Sequence, residues 1–200
     1  MMLKIGITGN IGSGKTTVSK VFELLGVPVF YADYEAKKVM TEDAVLMTEI
    51  RKNFGAEAYF EDGSLNRKHL SSIVFNNEAE LQKLNALVHP AVFRAFDVWA
   101  ENYQHKKYVL KEAALLFESG SNFQSDYTIV VSAALDIRVQ RVMQRDNLSE
   151  EEVLRREKKQ MPQADKEAKA DFIIQNNGDE LVIPQVLKIH EKLLQSAQKP

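Results

Sequence analysis

Cysteine is absent from this chain of 200 residues, which excludes disulfides, thiolate metal sites and the small secreted scaffolds that depend on them. Charge of one sign is missing as well. The formal net charge is −2, so no broad field draws the protein to nucleic acid or to an anionic membrane, and any phosphate recognition has to be local. No apolar run is longer than a strand, so none approaches the roughly 20 residues of a membrane helix. The first residues lead straight into a glycine loop without a cleavage site. These absences point to a cytoplasmic protein with neither nucleic acid nor membrane as partner, and they leave a homo-oligomer open. The four histidines, His69, His89, His105 and His190, have no zinc-like spacing. Repeats, low-complexity tracts and flexible linkers are lacking too, and the length suits one compact domain with an insertion.

What the chain does have is Gly9-Asn10-Ile11-Gly12-Ser13-Gly14-Lys15-Thr16-Thr17, set between the apolar run Leu3 to Thr8 and a helical pattern with Val18, Val21, Phe22 and Leu25. Strand, glycine loop and helix in that order form a phosphate cradle. Glycines let successive backbone N–H groups turn inward, at a helix N-terminus whose partial positive charge favours anions. In the pattern G-x-x-x-x-G-K-T, Lys15 reaches the β- and γ-phosphates and Thr16 supplies a hydroxyl for Mg²⁺. ATP and Mg²⁺ are therefore the expected ligands.

Gly26 closes the first helix, and Val27 to Tyr31 reads as a second strand ending at Ala32-Asp33. Asp33 then lies at the carboxyl rim of the sheet, where a carboxylate can face a γ-phosphate; on position alone it serves equally well as a helix N-cap. From Tyr34 to Lys107 the pattern is helical. One segment opens at Thr41 and carries Val45, Met47, Ile50 and Phe54 to Gly55; Asp62-Gly63 is a turn; Asn66 caps Arg67 to Phe75; Leu81, Leu84, Leu87 and Val88 mark a helix ending at His89-Pro90; Val92, Phe96, Trp99 and Tyr103 stripe a further one as core. His89 reads as a capped helix end. About seventy-five residues between the second and third strands are too many for a bare loop, so this block is an inserted helical cover. Tyr108 to Leu110, Tyr127 to Val131 and Phe172 to Ile174 supply the other strands, and a closing helix presents Lys188 and Lys192 to solvent.

Between the last two strands, Arg138, Arg141 and Arg145 fall on one helix face, and Ser149 with Glu152 forms a capping box for a helix bearing Arg155, Arg156, Lys158 and Lys159. Facing a phosphate loop, two such helices resemble a lid whose guanidinium groups neutralise a moving phosphoryl group. Asp136, Asp146 and Glu157 are interleaved, so a salt-bridged surface helix is the other reading. No Asn-Lys-x-Asp sequence selects guanine, and no apolar strand ends in paired acids. A short chain with these parts is expected to be a small-molecule kinase. A nucleotide-sensing module without catalysis, or a kinase for a nucleoside monophosphate or polyol, stays open.

The set Thr8 to Thr17, Ala32-Asp33, Asn66-Arg67…Leu70, Val74-Phe75, His89-Pro90, Leu115-Leu116-Phe117-Glu118, Gln140-Arg141-Val142…Arg145, Arg156…Gln160 and Ala170-Asp171…Asn176 closely resembles the dephospho-coenzyme A kinase family. The likeness is collinear over essentially the whole chain. It implies ATP-dependent phosphorylation of the ribose 3′-hydroxyl of dephospho-coenzyme A. It also implies an α/β, three-layer P-loop fold with a five-stranded parallel sheet: a core of 1–33, 108–136 and 170–200, a substrate-binding helical insert of 34–107 and a lid of 137–169. By the same resemblance Asp33 is the base, with Lys15 and Arg141 acting on the transferred group. Asn10, Gly12, Ser13, Gly14, Lys15, Thr16, Thr17, Arg145 and Asn176 would hold ATP, while His89, Leu116 and Phe117 join Asp33 around the acceptor. Arg67, Arg94 and Lys107 are candidates for its diphosphate and equally for solvent-facing positions. The chain departs from the family at Tyr31, where an aspartate is usual, and at Ala114, where a proline is usual.

Overall fold

The computed structural model describes residues 2–75 and 77–198. These fall into two compact units, residues 1–31 with 100–200, and residues 32–99. The first contains a five-stranded sheet in the order β2-β3-β1-β4-β5, made of β1 (Leu3–Thr8), β2 (Val29–Tyr31), β3 (Tyr108–Glu112), β4 (Tyr127–Ser132) and β5 (Phe172–Gln175). Every pairing is parallel. Parallel strands are covered on both faces, which explains why their sequences are nearly continuous apolar runs: Ile5, Ile7, Val109, Leu110, Ile129, Val130 and Val131 have no exposed surface.

On one face, α1 (Lys15–Leu24) and α9 (Val182–Ser196) insert Val18, Phe22, Val186, Ile189 and Leu193 against the apolar side chains of β1, β3, β4 and β5. Gly26, at φ 79°, turns the chain out of α1 as expected. The remaining helices of this unit are α6 (Leu135–Asp146), α7 (Glu150–Glu157) and the short α8 (Gln163–Ala168), which packs on β4. The capping box is present, with Glu152 N–H donating to Ser149 Oγ and the Glu152 carboxylate accepting from Ser149 N–H. The helix it starts stops at Glu157, so Lys158 and Lys159 lie beyond it. Residues 137–169, expected as a lid, cluster with the sheet.

The second unit is helical: α2 (Ala32–Glu42), α3 (Ala44–Phe54), α4 (Arg67–Val74) and most of α5 (Glu78–Glu101). Asn66 caps α4 through a bond from His69 N–H, as its position predicts. Two expectations need correction. The segment assigned from Thr41 begins at Ala44, because Asp43 accepts from Leu46 N–H and ends α2 there; the buried stripe is Leu46, Ile50 and Phe54, while Val45 is exposed. His89-Pro90 does not end a helix: α5 runs through it. Proline costs the helix a backbone bond, but Val88, Ala91, Val92 and Phe96 bury a continuous stripe across the site and hold the two halves in line.

Candidate active site

The loop after β1 owes its shape to close approaches that only glycine permits. A Cβ on Gly12, at φ 80°, would collide with the carbonyl oxygen of Arg138, and one on Gly14, at φ 93°, with Nδ2 of Asn176. Asn176 Nδ2 donates to the carbonyl of Ser13 at 2.8 Å, so this residue braces the loop from the end of β5. Gly14 is the N-cap of α1 and offers no side chain to the first turn, and no acidic residue stands there. The helix thus begins with N–H groups available to an anion. Ser13 is fully buried, and its Oγ finds no hydrogen-bond partner among the described residues.

The other half of the loop is clamped by the segment that ends α7. Asn10 Nδ2 donates to Glu157 Oε1 at 2.8 Å and to the Met161 carbonyl at 3.2 Å, and Ile11 N–H donates to Gln160 Oε1 at 2.8 Å. Glu157 is held in turn by Arg138 through paired bonds of 2.6 and 2.9 Å, and the same guanidinium reaches the Ile11 and Ala133 carbonyls. Arg138 is 3 % exposed. The three guanidinium groups of α6, expected on one helix face, have different surroundings. Arg138 is a buried brace, Arg145 lies on its neighbour Asp146 at 2.8 Å with a largely exposed side chain, and Arg141 alone has a buried Nη1 with no acceptor among the described residues. A buried donor left unpaired costs about 1–3 kcal/mol, which an incoming anion would recover.

Thr16 Oγ1 donates to Glu112 Oε1 at 3.1 Å. Glu112 ends β3, in register with Ile7 of β1 and Tyr31 of β2, and is largely buried. A hydroxyl and a carboxylate side by side are hard oxygen donors, which suits Mg²⁺, an ion that takes one or two such groups and keeps several waters. No motif in the sequence singles out Glu112, which closes β3 directly after Lys111. Tyr31, standing where an aspartate was expected, is bonded to Glu23, and burial, followed by the Glu23 charge, pushes its phenol well above the usual tyrosine range.

Beyond β3, the Ala114 carbonyl accepts from Thr8 Oγ1 and from Lys166 Nζ, contacts that fix a stretch lacking the expected proline. Lys166 has no exposed surface and pairs with Glu118 at 3.0 Å, while Glu118 Oε1 also accepts from Met161 N–H. Leu116 is fully buried and packs where Gly6 leaves room. Phe117 is half-buried, with Lys169 Nζ 6.0 Å from its ring centre. In the helical unit, Asp33 is exposed in the first turn of α2, which follows β2 without a break, and half-buried His89 stacks on Phe93 in mid-α5.

The sheet order, the phosphate loop and the arginine-bearing helices define a P-loop kinase. The dephospho-CoA kinase family model matches residues 3–181. A dephospho-CoA kinase of Bacteroides fragilis is 38 % identical over 189 residues, covering 94 % of this chain and 92 % of that one. One from Salinibacter ruber is 41 % identical over 179 residues, covering 88 % and 90 %. The solved structure of a dephospho-CoA kinase from Campylobacter jejuni superposes with a TM-score of 0.71 at 27 % identity, covering 98 % of this chain and 99 % of that one. The chain belongs to the dephospho-CoA kinase family.

Proposed function

We propose that this chain transfers the γ-phosphoryl group of ATP to the ribose 3′-hydroxyl of dephospho-coenzyme A, giving coenzyme A and ADP, the last step of coenzyme A synthesis. The N–H groups of Gly12 to Thr17 and the Lys15 ammonium hold the ATP phosphates, with Asn10, Ser13 and Asn176 keeping the loop in shape. Thr16 and Glu112 would hold Mg²⁺, which when bound supplies positive charge to the phosphate oxygens. Asp33 accepts a hydrogen bond from the 3′-hydroxyl, aligns it and takes its proton as the oxygen bonds to phosphorus and ADP departs. Arg141 neutralises charge on the phosphoryl group in flight, Arg145 leaves Asp146 to meet nucleotide, and His89 and Phe117 flank the acceptor. Helices α6 and α7 exclude water, which keeps ATP from hydrolysis.

The observation that carries this reading is the buried, acceptorless Nη1 of Arg141, one turn along α6 from Arg138, whose carbonyl meets Gly12 of the loop. That arrangement asks for an anion beside the phosphate loop. No helix among the described residues is long and apolar enough to cross a membrane, and we read the enzyme as cytoplasmic. The test of the chemistry is Asp33→Asn. Turnover should fall at least about 100-fold while ATP affinity, measured by calorimetry, stays within twofold; near-normal turnover would remove Asp33 from the step.

A further inference from the structure

The chain leaves β3 beside the end of β1 that opens into the phosphate loop, and residues 114–120 then run in turns without strand or helix. A stretch of that kind keeps a fixed place through contacts with its surroundings. Two of its polar anchors meet on one atom. Lys166 Nζ, on α8 and without exposed surface, donates to the Ala114 carbonyl at 3.1 Å and pairs with Glu118 Oε1 at 3.0 Å. The Ala114 carbonyl also accepts at 3.3 Å from Oγ1 of Thr8, the last residue of β1. Glu118 makes a second link. Its Oε1 accepts from Met161 N–H at 2.8 Å, while the Met161 carbonyl accepts from Asn10 Nδ2 of the phosphate loop at 3.2 Å. Gln160, just before it, accepts from Ile11 N–H at 2.8 Å. The backbone of Met161 is thus held on one side by the stretch after β3 and on the other by the phosphate loop. A buried ion pair is a poor source of stability, since apolar residues of similar volume often do as well or better. What an ammonium with several donors supplies is fixed distances to more than one acceptor at a single point.

We propose that Lys166 and Glu118 are positioning residues for phosphoryl transfer, holding residues 114–118 at a set distance from the phosphate loop through Ala114 with Thr8 and through Met161 with Asn10. On the functional reading above, on which this depends, Phe117 flanks the acceptor, and it directly precedes Glu118. The pair therefore fixes the backbone that carries this ring. With the stretch held, the acceptor hydroxyl is kept in line with the γ-phosphoryl group and water is kept from it. With the pair broken, the loop still binds ATP, but water competes with the hydroxyl for the same phosphorus. In both reactions the bond from the γ-phosphorus to the ADP oxygen breaks and ADP leaves. The new bond goes to the hydroxyl oxygen, giving a phosphate ester, or to water, giving inorganic phosphate, and the attacking oxygen loses a proton either way. Neither side chain has to touch the reacting atoms.

The test measures both fates in the full-length chain with ATP, Mg²⁺ and dephospho-coenzyme A, as coenzyme A formed and inorganic phosphate released. Their ratio does not depend on how much of a variant is folded, so a purely structural role leaves it unchanged. Lys166→Met and Glu118→Ala should each lower the ratio of transfer to hydrolysis at least about tenfold, with ATP affinity by calorimetry within about threefold of wild type. The double variant Lys166→Met/Glu118→Leu leaves no buried charge unpaired, so its thermal midpoint should return toward that of wild type while its ratio stays low. Wild-type ratios in the single variants would overturn the positioning role and leave the functional reading standing. Recovery of the ratio in the double variant would also overturn it, because packing alone would then suffice. If wild type forms no coenzyme A, the functional reading fails, and phosphate release from ATP decides the pair by itself: a rise of at least about threefold in the single variants supports it, and no rise overturns it.

Discussion

Glu157 is the residue whose removal says most about how the phosphate loop is held. Its carboxylate binds Arg138 in two bonds and accepts from Asn10 of the loop; the side chains of the ion pair are 4 % and 17 % exposed. Glu157→Ala would leave a buried guanidinium without its counter-charge. Breaking a buried pair from one side costs about 3–5 kcal/mol. For a chain of this size each kcal/mol moves the melting midpoint by roughly 2–4 °C, so the midpoint should fall by about 6–20 °C. Against a total stability of roughly 5–15 kcal/mol the loss is large. Calorimetry of wild type, Glu157→Ala and, as a control, Asp146→Asn measures it. The control breaks the exposed Arg145 pair and should move the midpoint little. Replacing both partners, as in Arg138→Met/Glu157→Leu, should recover part of the loss, since no buried charge is then unpaired. A Glu157→Ala midpoint indistinguishable from that of the control would refute the claim that this carboxylate braces the loop.

Arg141→Ala should lower kcat on the order of a thousandfold with KM for ATP changed only a few-fold, because its guanidinium is assigned to charge that develops in the transition state; an effect confined to KM would make it a ground-state binder. His190 offers a pH test. Burial holds its imidazole below the ordinary range, and the Tyr108 hydroxyl lies 2.5 Å from Nδ1, which accepts from it while the ring is neutral. The unfolded chain then binds this proton more readily than the folded one, so the contribution is complete above about pH 6.5 and is lost as the pH falls below that. Melting curves at several pH values should show this decline in wild type and a shallower one in His190→Gln.

Much of the sheet was legible because a parallel sheet buried on both faces writes itself as apolar runs: Leu3–Thr8 and the starts of β3, β4 and β5 stand where those runs begin, while β2 begins at Val29, two residues into its run. Local signals with a fixed chemistry also read true: the glycine loop, the capping box at Ser149 and the Asn66 cap. Pro90 misled because its local penalty was outweighed by the long stripe that α5 buries. Arg138 and Arg141 look alike in sequence, three residues apart on one helix, and only the position of Glu157 makes one a brace and leaves the other without an acceptor. Glu112 was unreadable for a related reason. A lone acid at a strand end becomes a partner for Thr16 only when β3 is known to lie beside β1, a pairing across more than a hundred residues of chain. Leu116 matched a family segment, but its burial against Gly6 is a property of packing that no motif encodes.

The most direct test of the central claim is ADP release by the purified chain with ATP and Mg²⁺, comparing dephospho-coenzyme A with AMP, CMP and small polyols and locating the phosphate in the product. The account predicts acceleration by dephospho-coenzyme A alone and a product phosphorylated at the ribose 3′ position. Faster release with another acceptor would overturn the substrate assignment, and ATP binding without transfer to any of them would make the chain a nucleotide sensor instead of a kinase.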